Sequence, residues 1–376
     1  MKFTDCIDIT GKSCKKFGGK KLYISTGAVD VDHVDSHQIE MVNYDTKPSR
    51  ANLITDDKSI LFAKMQGTKK VLLINKELEN NLYSTGFFSV SPKKNILNKK
   101  CLYHLLGSKT FLSQKDKYCS GATQKAISLE GLNKIEITIP NLEEQYQIAK
   151  TLDSINAIIK SYEKELKKYD ELIKARFIEM FGDPENNPNG WMESPLSEKL
   201  NVLGGFAFKS DKFSEISGIP ILRIGNINSG YFKPVNMVYW KEDENLDRYL
   251  IYPGDLVMSL TGTVGKDDYG NVCILGNDFE KYYLNQRNAK LEIQGGINKF
   301  YLSQLLKFKQ VKKKLTGINR GVRQANISNK DILNLVVPIP PIELQQQFED
   351  FVRQVDKSKY NDMCRYVYKG LKQRCE

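Results

Sequence analysis

The sequence predicts an α+β protein: two similar mixed α/β domains, each followed by a long helix, with the two helices pairing as an antiparallel coiled coil. Three observations predict it. One segment recurs without gaps 200 residues further on, a forty-residue stretch between the copies has no Gly or Pro, and that stretch carries a single apolar seam. A chain of 376 residues is long enough for two or three domains.

The repeat comes first, because self-similarity decides the architecture. Gly121-Ala122-Thr123-Gln124-Lys125-Ala126-Ile127-Ser128, followed by Ile139-Pro140 and Glu143 to Gln145, matches Gly321-Val322-Arg323-Gln324-Ala325-Asn326-Ile327-Ser328, followed by Ile339-Pro340 and Glu343 to Gln345. Gly, Gln, Ile, Ser, Ile, Pro, Glu and Gln are shared. Upstream, Tyr23 to Asp30 is echoed by Ile221 to Asn228. The span from Gly27 to Gly121 is 94 residues, and that from Gly225 to Gly321 is 96. The chain is one unit written twice.

The stretch from Leu142 to Phe181 separates the copies. Its apolar residues Ile148, Leu152, Ile155, Ile159, Tyr162, Leu166, Tyr169 and Ile173 alternate four and three apart, as a coiled-coil seam requires. Glu143 and Glu144 sit in the first turn, where carboxylates offset the helix dipole, and Gly182-Asp183-Pro184 stops the helix. Forty residues make a rod of roughly 60 Å, and one apolar seam on such a rod needs a partner. The partner expected is the helix after the second copy, where Phe348, Val352 and Val355 occupy the places of Ile148, Leu152 and Ile155. Beyond Val355 the seam fails, since Lys359 and Asp362 replace Ile159 and Tyr162. The second helix therefore reads as shorter or altered.

Within each copy, short β-rich runs (Ile219 to Ile227, Asp255 to Leu260, Asn271 to Leu275, Ala289 to Ile293) alternate with turns, and helices follow at Leu97 to Ser113 and Asn298 to Leu315. Apolar strands close both copies, at Ile135 to Ile139 and Leu333 to Ile339, and Ser328 with Asp331 can cap a short helix. The expected boundaries are a domain at 1–140, a helix at 141–182, a domain at 183–340 and a second helix at 341–376. The first domain lacks a counterpart of the leader Trp191 to Leu196.

The formal net charge is +11, from 56 Lys and Arg against 45 Asp and Glu. The helix from Leu142 to Phe181 holds seven basic and eight acidic residues, so the basic excess belongs to the domains. That pattern points to domains that meet a polyanion and a rod that meets protein. The candidate contacts are Lys64, Lys69, Lys70 and Lys125 in the first copy, and Arg223, Lys266, Arg287, Arg320 and Arg323 in the second. Lysine mostly anchors phosphate, whereas Arg and Gln can read guanine and adenine edges in the major groove. Each of these has a competing role as a solvated surface charge. Gly262-Thr263-Val264-Gly265 can bring backbone N–H groups near a phosphate. Gln124 and Gln324 can be structural, and Gly121 and Gly321 read as turn residues with positive φ.

Catalytic patterns are missing. Gly262 to Lys266 lacks the first Gly and the Ser or Thr of a phosphate-binding loop. His33 and His37 do not lie in a helical pattern, so no metal site is expected, and three histidines leave little for acid–base work. Seven cysteines without a CxxC suggest neither a disulfide framework nor zinc. With no long apolar run and no signal-like start, the chain reads as cytoplasmic and free of membrane.

The paired domain ends, Ile137 to Gln145 and Val337 to Gln346, resemble those of the specificity subunit of type I restriction–modification systems. Phe181-Gly182-Asp183-Pro184 and Val355 to Lys359 also look like that family, and the resemblance covers nearly the whole chain. It implies two DNA-recognition domains, each reading one half of a split site on double-stranded DNA, with the helices setting the gap. It implies that the helices dock two methyltransferase subunits, through Ile148, Leu152, Ile155, Ile159, Tyr162, Leu166, Phe348, Val352 and Val355. A restriction (nuclease–translocase) subunit would join them. S-adenosylmethionine, ATP and Mg would be held by those partners; the chain itself would hold no cofactor and perform no catalysis. The alternative is a coiled-coil scaffold with two RNA- or protein-binding heads. A third reading is a partner that donates domains by recombination.

Overall fold

The computed structural model describes residues 1–263, 268–317 and 324–372, except the side chains of 324 and 360–372. They form two compact units, Met1–Lys160 with residues 369–372, and Ser161–Tyr368. The boundary falls inside a continuous helix, Leu142–Phe181, so each unit includes part of the expected spacer.

The first unit contains a four-stranded antiparallel sheet in the order Ile7–Ile9, Phe87–Pro92, Ile60–Ala63, Val71–Leu73. Its second sheet runs Lys12–Ser13, Ala51–Ile54, Leu82–Ser84, Lys20–Ile24, Glu40–Asn43, with a parallel pair only between Leu82–Ser84 and Lys20–Ile24. The second unit repeats the first sheet strand for strand and the other without a counterpart of Lys12–Ser13. Leu200–Gly204, Asn288–Ile293, Leu256–Ser259 and Val272–Ile274 form its antiparallel sheet. Val238–Trp240, Ile219–Leu222, Tyr282–Leu284 and Leu250–Ile251 form the other, again with a parallel centre. The duplication is thus one of topology. Ile60–Ala63 and Leu256–Ser259 are buried along their whole length, and every residue of the two but Ser259 is apolar.

Two helices follow in each unit, Lys99–Leu106 and Lys109–Lys117, then Lys299–Lys307 and Lys309–Thr316. Asn98 and Asn298 cap the first of each pair, their side-chain oxygens accepting from the second and third helical N–H groups. Ser328 and Asp331 form the expected reciprocal cap.

The long helix carries acidic residues in its first turn and stops at Gly182, whose φ of 80° suits glycine. A Cβ there would lie 2.4 Å from Pro188. The Trp191 indole N–H donates to the Phe181 carbonyl at 2.9 Å and covers the helix end. In the second unit Ile173, Phe177 and Phe181 share one core with Phe348, Val352 and Val355. The helices run antiparallel there: the Phe348 ring lies 5.4 Å from that of Phe177, while Lys359, eleven residues on, meets Tyr162 and Asp170.

At Lys359 the apolar seam gives way, as expected, but the helix contact persists: the Lys359 carbonyl accepts from the Tyr162 hydroxyl and its ammonium lies 3.2 Å from Asp170. The described part of the second helix runs from Ile342 to Lys372, thirty-one residues against forty. Two expectations are corrected. The first domain does have a structural counterpart to the end of the leader, because Phe3 N–H bonds Ile135 as Leu196 N–H bonds Leu335. Sequence comparison misses it since Met1-Lys2-Phe3 shares no residue with Ser194-Pro195-Leu196. Ile135 to Ile139 forms only a single bridge, Lys2 with Glu136, whereas Val336–Pro338 pairs as a strand with Glu193–Pro195.

The repeated glutamine is the junction between domain and helix. Gln145 and Gln345 are 1% and 0% exposed. Their side-chain oxygens accept from Asn98 N–H at 2.8 Å and Asn298 N–H at 2.7 Å, and their amides donate to Pro140 and Pro340. Replacing Gln345 by Leu strands a buried N–H and a buried C=O. The second unit should lose about 2–4 kcal/mol, measured as a lower urea midpoint; an unchanged midpoint would remove the junction from the account.

Candidate nucleic-acid interface

In the first unit, three loops converge where the two parallel strands end. Ile127 N–H donates to the Lys64 carbonyl and Lys64 N–H to that of Gly86, each at 2.9 Å, while Gln66 N–H donates to Lys125 at 3.0 Å. The turn after Ile60–Ala63, the turn at Gly86 and the segment from Gly121 to Ala126 are thereby joined. Gly121 has φ 134°, and a Cβ there would lie 2.7 Å from the Gln124 carbonyl, so the expected turn role holds.

The four candidate lysines divide into two kinds. Lys64 lies over the Phe88 ring at 4.3 Å, and burial pulls its ammonium below the usual lysine range. Lys70 donates to the Thr26 carbonyl at 2.7 Å and pins the end of a parallel strand. Lys69 and Lys125 are exposed. A further lysine escaped the sequence reading: Lys115 is 1% exposed, and its ammonium donates to Met65 at 2.8 Å and Thr68 at 2.9 Å. It shapes the loop from beneath. Nothing in the local sequence separates it from its neighbours Lys109 and Lys117 except its place on the inner face of an amphipathic helix.

The second unit uses the same frame. Ile327 N–H donates to Leu260 at 2.9 Å and Leu260 N–H to Arg287 at 2.8 Å, so Leu260 holds the place of Lys64. Thr261–Thr263 pairs antiparallel with Gln324–Asn326. Arg287 is exposed on the turn beside the buried Asn288, whose amide donates to the Leu222 carbonyl at 2.8 Å. Arg223 follows Leu222, so both arginines flank the ends of the parallel pair. The Arg223 guanidinium is engaged with the Asn236 carbonyl. Lys266, Arg320 and Arg323 lie outside the described residues, although Thr263 and Gln324 near them are register partners. In the loop from Gly262 to Gly265, the Thr263 N–H donates to Asp268 at 2.8 Å and its hydroxyl lies 3.0 Å from the same carboxylate, so this amide does not face an incoming phosphate, while Val264 and Gly265 lie outside the described residues.

The expected docking residues are also divided. Phe348, Val352 and Val355 are buried, Leu152, Ile155, Tyr162 and Leu166 half-buried, and Ile148 and Ile159 exposed at 43% and 48%. Near its start the helix turns Gln145 and Ala149 inward, which leaves Ile148 outside. Among the described residues, no group of three or more His, Cys, Asp or Glu could hold a metal, and no helix is long and apolar enough to cross a membrane.

A family model described as "Type I restriction modification DNA specificity domain" matches residues 6–168 and 188–361. The chain is similar to the type I restriction enzyme MjaVIII specificity subunit of Methanocaldococcus jannaschii, 26% identical over 297 residues, covering 74% of this chain and 68% of that one. It is 28% identical over 192 residues to the EcoBI specificity subunit of Escherichia coli, covering 46% and 36%. The solved type I restriction–modification S subunit from M. genitalium shares the fold at a TM-score of 0.50, with 16% identity over 98% of this chain and 91% of that chain.

The two kinds of lysine separate experimentally. Lys69→Ala and Lys125→Ala should each lower the slope of log affinity for duplex DNA against log salt by about one. Lys70→Ala should lower thermal stability and leave that slope unchanged. The reverse pattern would reassign them.

Proposed function

Because the chain belongs to the type I restriction modification DNA specificity family, we propose that it reads a split site on double-stranded DNA, one half with each unit, and docks methyltransferase and restriction subunits through its long helices. It is a recognition subunit without catalysis of its own. The observation that carries this reading is the pair of matching sheet arrangements, each with a basic loop cluster at the end of its parallel strands. The nearly neutral helix between them has the composition of a protein-facing rod.

Exposed Lys69 and Lys125 are the phosphate anchors of the first half, and Arg287 with Arg223 serves the second. Lys266, Arg320 and Arg323 complete that half. Lys64 and Lys70 support the loop from within. Partners supply S-adenosylmethionine, ATP and Mg, and the two methyltransferase subunits expected bind along Leu142–Phe181 and its antiparallel partner. A protein that works on DNA in such a complex acts in the cytoplasm. A scaffold with RNA- or protein-binding heads has no separate observation in its favour.

Methylome sequencing with and without the gene tests the reading. Removal should abolish methylation at one split adenine motif and spare all others; an unchanged methylome would refute it. Inserting seven residues, two helical turns, between Ile159 and Leu166 should change the gap or abolish binding while both half-sites stay the same. Unchanged site and affinity would dismiss the helix as a ruler.

A further inference from the structure

The Gln145 junction holds the first domain at one point near the helix start, and one point is a pivot. Two further attachments lie along the same helix. Asp153 accepts from Lys100 and lies 2.9 Å from the His104 ring, both on the domain helix Lys99–Leu106. Lys160 lies 2.6 Å from Asp32, which also accepts from the Tyr103 hydroxyl at 3.3 Å. Burial opposes ionisation of Asp153 and Asp32, yet their cationic partners hold both carboxyls below the usual range. At 100° per residue, positions 145, 153 and 160 lie within about 80° of one another around the helix, and they span roughly 22 Å along it. Three attachments on one face over that length fix an angle that one cannot.

The second unit supports the same point with different chemistry. Its helix bears Arg353 where the first has Asp153, and its domain bears Phe300 where the first has Lys100. The Arg353 guanidinium lies over the Phe300 ring at 4.8 Å, steadied by Glu349, whose other oxygen accepts from Asn298 at 2.6 Å. The charge is reversed and the place is kept. What the two units share is an attachment two turns beyond the glutamine.

We propose that Asp153 and Lys160 are positioning residues that fix the angle of the first recognition domain on its helix, and through it the single gap length between half-sites. The proposal rests on the reading of the chain as a split-site DNA reader. One base pair of gap is about 3.4 Å of rise and roughly 35° of twist, so an angular error at the domain changes which gap it can span.

The test is the methylome of cells that carry the full chain and its partners from the native locus. Asp153→Arg sets a cation against Lys100 beside the His104 ring, and Lys160→Glu sets an anion against Asp32. Each should raise methylation several-fold at the same half-sites separated by one base pair more or fewer. The double variants Lys100→Phe with Asp153→Arg, which installs the second unit's pair, and Asp32→Lys with Lys160→Glu should restore the single gap. Unchanged gap selectivity in both single variants would overturn the proposal. So would loss of all methylation that neither double variant recovers, since that marks a folding role. If deleting the gene removes no split motif, the functional reading itself fails, and that result is separate from both.

Discussion

The structure depends on an amide buried twice, at Gln145 and Gln345. Each sits where a domain ends and a long helix begins, and each satisfies the backbone of its own domain on both sides. A buried amide that lost these partners would cost more than the bonds contribute when made. The junction therefore admits one geometry and few residues. Asparagine is a methylene shorter, and glutamate would bring a charge into a site whose carbonyls already face it. From that fixed geometry follow the direction of the helix and the place of the loops at the far end of each sheet.

The charges are arranged to fit two separate tasks. Much of the basic excess is structural. Lys99 and Lys299 reach back to the carbonyls of Asp57 and Gly254, Lys115 fills the loop between Met65 and Thr68, and Lys312 bonds Asn271. A buried ammonium needs such acceptors, because leaving water uncompensated is expensive. Lys115 and Lys312 hold the reading-loop side from within, Lys99 and Lys299 hold the turns at the opposite ends of the same strands, and exposed lysines face outward. A simple count of positive charge therefore exaggerates the number of phosphate contacts, though their fields still add to the potential at the loop surface.

Much of the fold was legible in the sequence, and for identifiable reasons. The repeat from Gly121 to Gln145 announced the two domains, and the Gly- and Pro-free seam announced the helix that is found from Leu142 to Phe181. What escaped notice was carried by backbone atoms or by pairs remote in sequence. The match of Phe3 with Leu196 is a hydrogen bond to an equivalent carbonyl, not a shared residue. Lys359 broke the apolar pattern yet kept the helix contact, because Tyr162 and Asp170 offered polar partners. At the candidate interface the sequence named basic residues but could not rank them. Lys64 and Lys69 look alike as letters, and only the Phe88 ring beneath one of them tells them apart.

The comparison of Lys100–Asp153 with Phe300–Arg353 shows how a duplicated domain can drift without losing its geometry. After duplication the two junctions were free to change independently, provided each change was compensated inside its own unit. Gln145 and Gln345 are the same residue in both units, and each makes at least two bonds to backbone, one as acceptor and one as donor, which an amide side chain of this length can supply. The outer attachment changed completely, since an ion pair and a cation over an aromatic ring do similar work at a half-exposed site. The constraint at the outer point is thus on position, and at the inner point on identity. A ruler made of two similar arms needs this division: the pivots must be the same, while the braces need only hold.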